Sequence, residues 1–121
     1  MKKFLIFLLV IPNLLFADYH VNEKNVSAKD IINYYKSVDE INTYARGIVE
    51  GLIHAHKANY VLTGKRNICY TYDTSFAQSN NTYKNLIIIE EHYVKNKDLF
   101  KNTTYVYLAN MALQEAYPCN D

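Results

Sequence analysis

Apolar positions recur at intervals of three and four residues through most of this chain, and that spacing predicts an all-α fold. The clearest run is Tyr105 to Cys119, read Y-V-Y-L-A-N-M-A-L-Q-E-A-Y-P-C. Tyr105, Leu108, Ala109, Ala112, Leu113 and Ala116 fall on one stripe, among good helix formers. Pro118 ends the helix, because it disfavours the helical conformation at Tyr117 and cannot continue the ladder. Asn102 or Thr103 is the expected cap at the other end. Upstream, Ser27 followed by Asp30 resembles a capping box and opens a short helix from Ala28 to about Ser37. A longer helix is expected from Asp39 to about Tyr60. Ile41, Tyr44, Ala45, Ile48, Leu52 and Ala55 make its stripe, widened by Val49 and Ile53. Gly64 is its natural stop. Gly47 and Gly51 lie four apart on one face of that helix. Tight packing inside the domain is the expectation there. Close approach of a partner helix or a ligand is the alternative.

The helical pattern lapses between Lys65 and Asn81. That stretch is polar, aromatic and turn-rich, and at about seventeen residues it exceeds the usual length of a plain connection. A third helix follows from Thr82 to about Lys95, with Tyr83, Leu86, Ile87, Ile89, Tyr93 and Val94 apolar. The run Leu86 to Ile89 would suit a strand by composition, but its flanks and length favour helix. Asn96, Lys97 and Asp98 make a turn before the closing helix. The sum is a small single-domain bundle of about four helices.

The first residues add a compartment. Lys2 and Lys3 precede an apolar run from Phe4 to Ile11, and Ala17 is a small residue suited to a cleavage site. A secretory signal peptide over residues 1–17 is expected. A membrane anchor is the alternative, but the run is shorter than a span requires and is broken by Pro12 and Asn13. Cleavage after Ala17 leaves 104 residues, Asp18 to Asp121, enough for one domain. Losing Lys2 and Lys3 leaves 11 basic against 12 acidic residues. No basic patch or tail points to nucleic acid, and no second long apolar run points to a membrane partner. The location implied is outside the cytoplasm.

The chain has two cysteines, Cys69 and Cys119. An even pair in a small exported domain argues for a disulfide. That bond would tether the long segment near its start to the end of the closing helix.

The residues that could carry chemistry do not converge. His54 and His56 sit on opposite sides of a helix, which argues against a metal pair. Glu90, Glu91 and His92 splay around their helix. Ser75 and Ser79 lack the glycines of a nucleophile elbow. Three glycines in the whole chain rule out a phosphate-binding loop. The pattern argues for a binding protein that is not an enzyme and holds no cofactor or metal. Twelve tyrosines suit that role.

The spaced glycines Gly47 and Gly51, Cys69 in a long turn, Tyr93 with Val94, and the closing A-L-Q-E-A-Y-P-C from Ala112 to Cys119 occur in a telling order. They resemble the small periplasmic immunity proteins that neutralise peptidoglycan amidases of type VI secretion (the Tai-type family). The resemblance narrows the location to the periplasm and implies a helical protein, often a homodimer, that inhibits a cell-wall amidase toxin by blocking its active site. The segment from Lys65 to Asn81 is then the expected contact, with Tyr70, Tyr72, Asp73 and Phe76 as anchors. The alternative is a small periplasmic helical chaperone or stress-response binding protein. A small hydrolase is a third reading, and it lacks a converging set of residues.

Overall fold

The computed structural model of the chain describes residues 26–70 and 78–120, with side chains from 81 onward in the second stretch. The expected signal peptide lies outside the described residues. So do Tyr72, Asp73 and Phe76. Among the described residues there are five helices, no named strand and one disulfide. They are α1 (Ala28–Tyr34), α2 (Asp39–Thr63), α3 (Gln78–Lys95), α4 (Lys97–Phe100) and α5 (Tyr105–Ala116). The fold is the small all-α domain that the hydrophobic spacing predicts.

Each helix starts and stops for a local reason. Ser27 caps α1, its hydroxyl accepting from the Asp30 amide at 3.2 Å. That satisfies one of the free amide groups at the helix start. Thr104 caps α5 by accepting from the Tyr107 amide at 3.3 Å. Thr104, and not the expected Asn102 or Thr103, takes this role: its backbone is extended (φ −77°, ψ 156°), and the Thr103 hydroxyl is turned back to the Phe100 carbonyl at 2.8 Å. α2 has no side-chain cap, but Asp39 and Glu40 lie in its first turn, where carboxylates oppose the positive end of the helix dipole. It runs to Thr63, a turn beyond the expected end, and closes on Gly64 in the left-handed conformation (φ 73°). Only glycine adopts that angle without strain. The expected turn at Asn96 to Asp98 is instead a break of one residue, after which α4 makes a single helical turn.

The core is one apolar cluster. α5 contributes Tyr105, Leu108, Ala109, Ala112 and Leu113, all buried, and lies against α3, α1 and α2. Ala28, Ile31 and Tyr35 fill it from the α1 side, and Leu86, Ile89 and Tyr93 from α3. On α2 the buried line is Ile41, Ala45, Val49 and Ile53. Tyr44, Ile48 and Leu52 flank it half-buried, and Ala55 is exposed. Tyr83 and Val94 of α3 also face outward.

Gly47 and Gly51 correct one expectation. Both are exposed, and a methyl group added at either would meet nothing within 4 Å. Tight packing inside the domain is therefore not what these glycines serve.

Polar links bind the layers together. Tyr35 donates to Glu90 at 2.6 Å, and Lys36 meets the same carboxylate oxygen at 2.9 Å, so α3 holds the end of α1. Asn42 of α2 donates to the Tyr35 carbonyl at 3.0 Å. The starts of α1 and α5 are joined by an isolated antiparallel bridge between Ser27 and Thr104. Its bonds run from Ala28 N–H to the Thr103 carbonyl at 2.8 Å and from Tyr105 N–H to the Val26 carbonyl at 2.9 Å.

Candidate functional site

The region that fixes the long segment is built around the disulfide. Cys69 and Cys119 are bonded with their Cα atoms 5.2 Å apart, inside the ordinary range for such a bridge. The Cys69 amide also donates to the Tyr117 carbonyl at 3.0 Å. Two neighbouring links therefore tie the chain here to the stretch that follows α5. Ile68, just before the bridge, is buried in the core.

Tyr70 is the one proposed anchor that is described. It is half-buried, with its ring edge-on to that of Tyr117 at 4.9 Å. An edge-to-face pair of this kind is a favourable aromatic contact. Tyr117 in turn donates its hydroxyl to Asn85 Oδ1 at 2.6 Å. Burial, then the neighbouring Tyr70, pushes the Tyr117 phenol up from its ordinary value. Asn85 is almost completely enclosed, beside buried Asn81 and Thr82. Thr82 donates to Glu50, bridging α3 to α2. Buried polar residues of α3 thus tie it to both sides, Thr82 to Glu50 of α2 and Asn85 to Tyr117 after α5. Sequence reasoning missed Asn85, since an asparagine within a helical stripe gives no sign that it will be buried.

The histidines diverge as their spacing requires. His54 faces Glu50 at 3.5 Å on the outer side of α2. His56 turns inward. Its Nδ1 accepts from the Asn67 amide at 3.3 Å and its Nε2 faces Asn110 Oδ1 at 3.2 Å. With Nδ1 accepting, Nε2 carries the proton and donates. His56 is a strut between α2, the segment after it and α5. Among the described residues no group of three or more His, Cys, Asp or Glu could hold a metal ion.

A shallow groove of about 220 Å³ separates α3 from α5. Its floor includes Ile88, Ala112 and Ala116, and its rim carries Glu91, Lys95 and the pair His92–Glu115, joined at 3.1 Å. The His92 ring also packs on Phe100, with centroids 5.3 Å apart. The imidazole is thus occupied in holding α3 to α4 and α5, and no hydroxyl or thiol lines the groove to act as a nucleophile.

The other exposed feature is the end of α2. Val61 and Leu62 are 78% and 82% exposed, and Tyr60 beside them is 42% exposed. The Arg66 guanidinium lies over the Tyr60 ring at 4.1 Å, a cation–π contact. Gly64 marks the stop of this helix in the sequence, but nothing in the sequence pattern shows that Val61 and Leu62 stay uncovered.

The chain matches no protein-family model, no curated protein and no solved structure.

Proposed function

We propose that this protein is a periplasmic immunity protein, exported by its N-terminal segment, that binds a peptidoglycan amidase of the type VI secretion class and covers its active site. The observation that carries the reading is the Cys69–Cys119 bridge at the base of the aromatic segment. A segment that must enter an active-site cleft gains affinity when it is held at its base, because less freedom is lost on binding. The bridge and the Tyr117 carbonyl hold that base against the rigid end of α5. Tyr72, Asp73 and Phe76 follow directly and are the proposed anchors, with Tyr70 as the hinge between anchor and scaffold.

The test is co-purification of the mature chain with the product of the neighbouring reading frame, followed by a cell-wall hydrolysis assay. Inhibition at near-stoichiometric amounts is expected. Joint replacement of Tyr72, Asp73 and Phe76 by alanine should relieve the inhibition without lowering thermal stability. Unchanged affinity in that triple variant would remove the segment from the proposal. A neighbouring product that is neither bound nor inhibited would remove the function.

A further inference from the structure

The exposed end of α2 has an organisation that the tethered segment does not account for. Val61 and Leu62 stand almost fully in water at the end of the longest helix. A single exposed aliphatic residue means little. Here two adjoin, with a half-exposed tyrosine beside them, and covering the aliphatic chains is favourable.

The turn after the pair is fixed by hydrogen bonds back to the helix. Gly64 N–H donates to the Tyr60 carbonyl at 2.8 Å, and Thr63 Oγ1 donates to the Asn59 carbonyl at 2.7 Å. Asn59 Nδ2 donates to the Lys65 carbonyl at 2.8 Å, while Lys65 N–H donates to Thr63 Oγ1 at 3.2 Å. A helix end usually leaves carbonyl groups that need water. Here the Gly64 amide satisfies the Tyr60 carbonyl, and the side chains of Asn59 and Thr63 fix the turn that follows, so the shape of the helix end is set in advance.

Charge adds direction. No Asp or Glu occurs between Glu50 and Asp73, whereas Lys57 precedes the apolar pair in sequence and Lys65 and Arg66 follow it. The surface that complements it is apolar at its centre and acidic at its rim. An anionic membrane has that chemistry too, but the magnitudes disfavour it. Three cations supply only a weak attraction to such a surface, short of a polybasic cluster. Two short aliphatic chains bury less than one myristoyl group, whose own attachment is marginal. A shaped protein pocket makes better use of a small rigid knob.

We propose that the end of α2, with Val61 and Leu62 at its centre and Lys57 and Lys65 at its rim, seats in an apolar, carboxylate-rimmed pocket on the amidase. This second contact rests on the inhibitor reading above, and it directly precedes the tethered segment in sequence. The probe is the purified amidase from the neighbouring reading frame, titrated against the wild-type chain, Val61→Gln with Leu62→Gln, and Lys57→Glu with Lys65→Glu. All four positions are exposed, so melting temperatures should match wild type. The first pair should weaken binding by at least about tenfold. The second should weaken it and flatten its dependence on salt.

Wild-type chain that fails to bind overturns the inhibitor reading and this contact with it. Wild-type binding that both pairs leave unchanged overturns this contact alone. Parallel arms use equimolar phosphatidylglycerol–phosphatidylcholine vesicles and sedimentation of the chain by itself. Vesicle binding or self-association abolished by Val61→Gln with Leu62→Gln, with amidase affinity intact, assigns the knob to a membrane or a second copy and overturns the proposal.

Discussion

Glu90 shows how much one residue can organise. It accepts from Tyr35 and meets Lys36 through the same oxygen, fastening α1 to α3. Burial pushes its carboxyl up, but the hydrogen bonds from Tyr35 and Lys36 and the Lys36 charge outweigh that, and the net shift is downward. A carboxylate held below its unfolded value stabilises the fold above that value, and the stabilisation is lost as pH falls through the folded one. Urea midpoints should therefore drop below about pH 4. Glu90→Gln should be less stable at neutral pH and show a shallower drop. An identical acid profile in the variant would show that Glu90 contributes nothing to it. Tyr35 and Tyr105 act at the opposite extreme. Burial, then the Glu90 carboxylate, raises both phenols far above their ordinary value. A raised group contributes fully below its unfolded value and loses that contribution as pH climbs past it, here from about pH 10. Phenolate absorbance from these two rings should appear only together with loss of helical circular dichroism. The link between Tyr35 and Glu90 could not be read from the sequence, because 55 residues separate the hydrogen-bonded pair.

At the scale of the helix, local pattern and local chemistry mostly agree. The stripe from Tyr105 to Leu113, the Ser27 cap and the Gly64 stop are all legible in the sequence, since each depends on neighbours within four residues. What is not legible is which side of a wide stripe the rest of the molecule covers. On α2 the line through Val49 and Ile53 is buried and Ala55 is not, because α1, α3 and α5 approach from one side. Gly47 and Gly51 fall on the other. With open space at both, Gly47→Ala and Gly51→Ala should each stabilise α2 by roughly 0.5–1 kcal/mol. Denaturant midpoints will measure it, and a destabilised variant would mean that something occupies that face in solution. Thr104→Ala should cost about 1 kcal/mol through loss of the α5 cap. Asn102→Ala should cost little by comparison, because Thr104 carries the capping bond.

The whole molecule depends on closures between distant parts. The disulfide spans a sequence separation of 50, which in the chain-entropy description is worth about 4 kcal/mol. That is a large share of the roughly 5–15 kcal/mol typical of a domain. Cys119→Ser should lower the melting temperature by some 15–30 °C. Reduction of the wild-type chain should reproduce the loss, and a variant that melts with the wild type would show that α5 needs no staple. Two cysteines in a chain allow only one internal pairing, so this closure is legible from the cysteine count alone. The candidate site is legible only in part. The aromatic segment and its tether stand out in the sequence. The knob at the end of α2 does not, because its exposure depends on where the other helices stop.

The small bridge between Ser27 and Thr104 bears on the order in which the protein is made. Synthesis delivers the chain from its N-terminus, so Val26 and Ala28 emerge early and their partners Thr103 and Tyr105 emerge almost last. Until then α1 has no neighbour across the bridge, and a seven-residue helix is too short to persist by itself. α2 and α3 can cover part of its apolar face, Ala28, Ile31 and Tyr35, but the α5 side of that face stays open until Thr103 and Tyr105 are made. The packing of α1 is thus completed only when α5 arrives. A nascent chain halted before Thr103 should leave the α5 side of that face open to any chaperone that reads exposed aliphatic and aromatic side chains.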